Sequence, residues 1–108
     1  MSNSGNSIKF DAIREIAAAS LTTSFQNLGS AFTRDAFRVT LKNFTNGDIY
    51  LSANGGTTTG KKMAASSAEV LDNKTNDMFF RSGTQWQVRW DSAPGAPTGS
   101  VVLEVEYV

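Results

Sequence analysis

Four stretches of this chain alternate apolar and polar side chains with a period of two, the pattern of a β-strand half-buried against a core. Phe37, Val39 and Leu41 face one way, with Arg38, Thr40 and Lys42 facing the other. Ile49, Leu51 and Ala53 alternate with Asp48, Tyr50 and Ser52, and Trp86, Val88 and Trp90 with Gln85, Gln87 and Arg89. At the end of the sequence Val101, Leu103, Val105 and Tyr107 oppose Val102, Glu104, Glu106 and Val108. Between the first two stretches lies Asn46-Gly47-Asp48, whose residues tolerate positive φ, so these two strands are expected to form a hairpin.

Shorter strands are expected at Lys62 to Ala65, Ala68 to Leu71 and Met78 to Arg81, each bounded by Gly, Asn, Asp or Ser. Ala93-Pro94-Gly95-Ala96-Pro97-Thr98-Gly99 is too rich in Pro and Gly for a strand and reads as an exposed loop joining the last two strands. Residues 8 to 19 fit both a helical and an alternating pattern. The poor helix formers Ser20, Thr22, Thr23 and Ser24 that follow tip the reading toward strand, with Leu21, Thr23 and Phe25 pointing one way if extended. Met1 to Ser7 carries no apolar side chain after Met1 and reads as a flexible arm. The expected architecture is all-β: an antiparallel β-sandwich, jelly-roll-like, with arm 1–7 ahead of a single domain 8–108.

Composition narrows the chemistry. The 108 residues contain neither His nor Cys, the side chains that most often shuttle protons, attack as thiolates or bind transition metals. Ten Lys plus Arg balance ten Asp plus Glu without runs of like charge, so no electrostatic footprint for nucleic acid or an anionic membrane is present. No stretch approaches the roughly eighteen apolar residues of a membrane helix. Residues 1–7 are polar where a secretory signal would be basic and then apolar, which reads as synthesis in the cytoplasm. A structural or binding module is expected, not an enzyme, with no cofactor, no metal and no small-molecule ligand.

Several motifs resemble chemical sites and fall short of them. Gly55 to Lys62 matches a phosphate-cradling loop up to its last position, where Lys62 replaces the Ser or Thr that would ligate magnesium. A Gly/Thr-rich loop between two strands is the better account. Glu104 and Glu106 share a strand face and read as a solvated edge rather than an acid/base pair. Asp72 to Asp77 offers oxygen ligands without the spacing of a calcium loop. Asn43-Phe44-Thr45 and Asn73-Lys74-Thr75 fit the glycosylation sequon, but no secretory signal accompanies them.

Trp86 and Trp90 on alternate positions would make a stacking platform for sugars if exposed; as the apolar face of their strand they are expected in the core. Tyr50, on the polar face of its strand, is the candidate exposed aromatic. Ile8 and Phe10, following the polar arm, are candidate contacts that would dock on a neighbour by strand addition or begin this domain's own first strand.

The opening Ser7-Ile8-Lys9-Phe10-Asp11-Ala12-Ile13-Arg14-Glu15-Ile16, followed by Leu28-Gly29-Ser30, resembles small virion structural proteins of tailed bacteriophages. The likeness extends in outline to Asn46-Gly47-Asp48-Ile49-Tyr50-Leu51-Ser52, Gly83-Thr84-Gln85-Trp86-Gln87-Val88 and Pro97-Thr98-Gly99-Ser100-Val101-Val102-Leu103. It implies a β-sandwich subunit present in many copies on a virion, without enzymatic activity, binding other virion proteins (the major capsid protein or tail proteins) and copies of itself. Capsid decoration or cement is the first expectation, and a tail or head-to-tail accessory role the second. A carbohydrate-binding module for host surface glycan is the expectation of a different class, resting on the tryptophans and the Asn/Thr-rich loops.

Overall fold

A computed structural model of the chain describes residues 9–53, 60–72 and 81–107. The fold is an all-β sandwich of two antiparallel sheets. Its strands are β1 (Lys9–Phe10), β2 (Arg14–Ala17), β3 (Gln26–Asn27), β4 (Arg38–Asn43), β5 (Ile49–Ser52), β6 (Lys61–Met63), β7 (Ser67–Asp72), β8 (Gln87–Trp90) and β9 (Ser100–Tyr107). The helical element among the described residues is a single 3-10 turn, Ala18–Ser20. The first sheet runs β2-β9-β4-β7, with β1 lying on the far end of the same β9 edge, and the second runs β3-β8-β5-β6.

The pairing is nested: β2 pairs with β9, β3 with β8, β4 with β7 and β5 with β6. Successive pairs fall alternately in the two sheets, so the chain folds as one long ribbon whose apolar faces are brought together. Alternation explains the core directly. Val39 and Leu41 of β4, Ile49 and Leu51 of β5, Val88 and Trp90 of β8, and Val101, Leu103 and Val105 of β9 are all buried between the sheets. Each such side chain contributes about 1.5–3 kcal/mol of burial. Leu21, Leu28, Phe32 and Ala36, from the connections, close the core at its open side.

Three expectations change. The β4 and β5 stretches form no hairpin, because they belong to different sheets. The reason is a buried amide. Asn43 donates from Nδ2 to the carbonyls of Gly47 and Ala64, each at 3.0 Å, while its Oδ1 accepts from the Thr45 amide at 3.0 Å and the Thr45 hydroxyl at 2.6 Å. That network turns the chain from one layer to the other, and Gly47 serves it through closeness rather than positive φ, since a Cβ there would stand 2.9 Å from the Trp90 ring. The same burial, 0% exposed at Asn43, leaves no room for a glycan at the first sequon in this fold.

The second change is that β9 is an interior strand of its sheet, so Glu104 and Glu106 do not lie on a solvated edge. Glu106 is buried and pairs with Arg38 at 3.2 Å, and Glu104 pairs with Lys42 at 3.0 Å. The third is that only Leu21 of the Leu21, Thr23 and Phe25 set enters the core, because a bend at 23–24 rotates Phe25 to the outer face. The strands expected near Lys62 and Ala68 are β6 and β7, and the 93–99 loop lies between β8 and β9. Of the third short strand, Arg81 lies outside any strand. Residues 78–80, the 1–7 arm, most of the Gly55–Lys62 loop, and the rest of the Asp72–Asp77 and second sequon stretches fall outside the described residues.

Candidate interaction surfaces

Two outward-facing features carry more chemistry than a solvated sheet requires. The first is at the β1–β2 edge. Phe10 pairs with Glu106 and Arg14 with Leu103, which leaves Asp11, Ala12 and Ile13 on one strand against Glu104 and Val105 on the other. Three residues against two is a β-bulge, the device that re-aims a side chain at a sheet edge.

The bulge is held from behind by Arg14, whose side chain is 4% exposed. Its Nη1 donates to the Ala12 carbonyl at 2.7 Å, and its Nε and Nη2 donate to the carbonyls of Ser30 at 3.1 Å and Ala31 at 3.3 Å. It also pairs with Asp11 at 3.2 Å and lies 5.0 Å from the centroid of the Phe32 ring. A buried guanidinium is tolerated only when its donors and charge are matched in this way. The amide of Ala12 donates to Asp11 Oδ1 at 2.8 Å, and that hydrogen bond, with Arg14 and Arg34 nearby, holds the Asp11 carboxyl below its ordinary value. The braced segment presents Phe10 at 72% and Ile13 at 61% exposure.

The second feature is the outer face of the β3-β8-β5-β6 sheet. Tyr50 stands opposite Arg89 on one neighbour and Lys62 on the other. The Arg89 guanidinium lies between two rings, 4.5 Å from the Tyr50 centroid and 5.3 Å from that of Phe25. Lys62 lies 5.9 Å from the Tyr50 ring and reaches Asp91 at 3.2 Å and Asp48 at 3.9 Å, an ion-pair contact that raises its pKa. One row along, Gln87 Nε2 donates to Asn27 Oδ1 at 2.8 Å.

The candidate residues from the sequence therefore separate. Ile8 lies outside the described residues. Phe10 is exposed on the outer face of the first sheet, while Tyr50 is half-buried on the outer face of the second, so the two do not share a site. Trp86 and Trp90 are 5% and 1% exposed, as the core reading expects, which leaves no tryptophan platform. Sequence reasoning missed Ile13, Arg14, Phe25 and Arg89. A bulge breaks the two-residue period that would have marked Ile13 and Arg14, and the Phe25–Arg89 stack depends on a pairing between β3 and β8 that no local pattern announces. Comparison with known protein families, with curated proteins and with solved structures finds no match to this chain.

Proposed function

We propose that the chain is a non-enzymatic structural subunit of a bacteriophage virion, present in many copies and bound to other virion proteins, most simply as a capsid decoration or cement protein. The observation that carries this reading is the Arg14-braced bulge, which holds two large apolar side chains, Phe10 and Ile13, in solvent at a sheet edge. Rigid display of apolar anchors lowers the ordering cost of association, and repetition over many copies multiplies a weak contact. The nested strand order supports a jelly-roll-like reading of the sandwich, an architecture found in capsid proteins. The bulge also refines how the edge is used, since an irregular edge disfavours simple strand addition and favours side-chain docking. A tail or head-to-tail accessory role is the second placement within the same class.

The test is co-sedimentation with particles. Wild-type protein should be found by mass spectrometry in purified virions and should rebind particles stripped of it. The Phe10→Ser, Ile13→Ser double variant should retain its melting temperature and lose rebinding. Absence of the wild-type protein from virions, or undiminished rebinding by the double variant, overturns the reading.

A further inference from the structure

The outer face around Arg89 is built differently from the Phe10–Ile13 edge. The exposed large apolar side chains among the described residues are Phe10, Ile13, Phe44 and Val70, and none stands on the strands of the β3-β8-β5-β6 sheet. Among the described residues this face therefore offers no exposed large aliphatic side chain, and because Tyr50 and Arg89 are residue types that also anchor protein contacts, an acidic polypeptide is the competing occupant that the test must separate. It offers a fixed guanidinium, two ring edges, an amide pair and the exposed hydroxyl residues Thr22, Thr23 and Ser24 leading into Phe25.

Arg89 is the group left unmatched. Lys62 engages both carboxylates of the face, Asp91 and Asp48, and among the described residues no carboxylate pairs with Arg89. The bond its side chain makes there is from Nη1 to the carbonyl of Trp90 at 2.8 Å, which leaves most of its five N–H donors without a hydrogen-bond partner among the described residues. Contact with Tyr50 on one side and Phe25 on the other restrains where the guanidinium sits, and a restrained planar fork is the arrangement that receives a carboxylate through two parallel hydrogen bonds. From this geometry we infer that the outer face centred on Arg89 is a binding site for a carboxylate-bearing saccharide, a chain containing sugar acids. The carboxylate is received by Arg89, the sugar ring lies over the edges of Tyr50 and Phe25, and its hydroxyls meet the surrounding amide and hydroxyl groups. The inference is independent of the virion reading, because it concerns the isolated protein and a different face.

The probe is oligogalacturonate, with a neutral galactose oligomer of the same length as comparator, titrated into isotope-labelled full-length protein. The acidic oligomer should shift the Arg89 Nε–Hε resonance and the amides of Tyr50 and Phe25, and the neutral one should bind at least ten-fold more weakly. Arg89→Gln should weaken binding ten-fold or more, and Arg89→Lys nearly as much, because the ammonium keeps the charge without the fork. Lys9→Gln, at an exposed cation on β1 of the other sheet, should bind as wild type. Equal binding of the neutral oligomer, resonance shifts that avoid Arg89, unaltered binding by a folded Arg89→Gln variant, or saturation by polyglutamate at lower concentration than by oligogalacturonate would each overturn the inference. The resonance map on wild-type protein decides the matter even if an Arg89 variant does not fold.

Discussion

The indole N–H of Trp90 donates to the carbonyl oxygen of Leu21 at 3.1 Å, joining residues 69 positions apart in the chain. Burial alone would leave that N–H as a cost, and burial with a partner makes the ring a bolt between β8 and the connection that follows the 3-10 turn. Trp90→Phe keeps an aromatic ring but strands the Leu21 carbonyl and leaves space where the larger ring stood. The expected loss is about 2–3 kcal/mol, read as a lower urea midpoint at unchanged slope. Acrylamide should quench the emission of both tryptophans only weakly in the folded protein, and fully on unfolding.

Gly29 is required by its conformation and by its neighbour. Its φ is +68°, and an added Cβ would overlap the Arg14 side chain. Gly29→Ala should cost about 2–3 kcal/mol, because it combines left-handed backbone strain with displacement of a buried guanidinium. Gly83, at φ +91° with open space around it, is the comparison. Gly83→Ala meets only the backbone term, so its cost should be about 1 kcal/mol. Thermal melts of both variants check the difference.

Removal of the buried amide at Asn43 should be more damaging than removal of any exposed one. Asn43→Ala leaves the Thr45 amide and the carbonyls of Gly47 and Ala64 without their side-chain partner. The expected loss is about 3 kcal/mol or more, since several groups lose partners together. Asn46, exposed and bonded to the 96–98 loop, should lose about 1 kcal/mol on the same substitution.

Acid should loosen the Asp11–Arg14 brace. The folded-state pKa of Asp11 is lowered, by the Ala12 hydrogen bond first and by Arg14 after it. Its contribution to stability is therefore complete above the unfolded-state value of about 4 and is lost as the pH falls through the lower folded-state value. Asp11→Asn should be less stable than wild type near neutrality, and the gap should narrow as the pH falls below about 4. Urea denaturation across that range measures it. A gap that is constant with pH would contradict the assignment.

The strands β4, β5, β8 and β9 were legible in the sequence because each has one face in the core and one in solvent, and a two-residue period records that division locally. Their buried residues follow as well: Val39, Leu41, Val88, Val101 and Leu103 are each 0% exposed. The absence of His and Cys was equally local information about the available chemistry.

Which strand lies beside which was decided only by the tertiary structure. Pairing between β2 and β9, or β3 and β8, joins segments far apart in the chain, and no local period carries that choice. The expected β4–β5 hairpin failed for this reason: Asn46-Gly47 permits a tight turn, but the buried bonds of Asn43 and Thr45 favour a crossing between layers. The bulge that exposes Ile13 and the ring stack that isolates Arg89 arise from the same non-local register. The sequence by itself determined a β-sandwich and most of its core. Where that sandwich presents its apolar edge and its ring-stacked Arg89 was settled by packing, because a side chain's partners depend on strands the chain reaches only after it has folded.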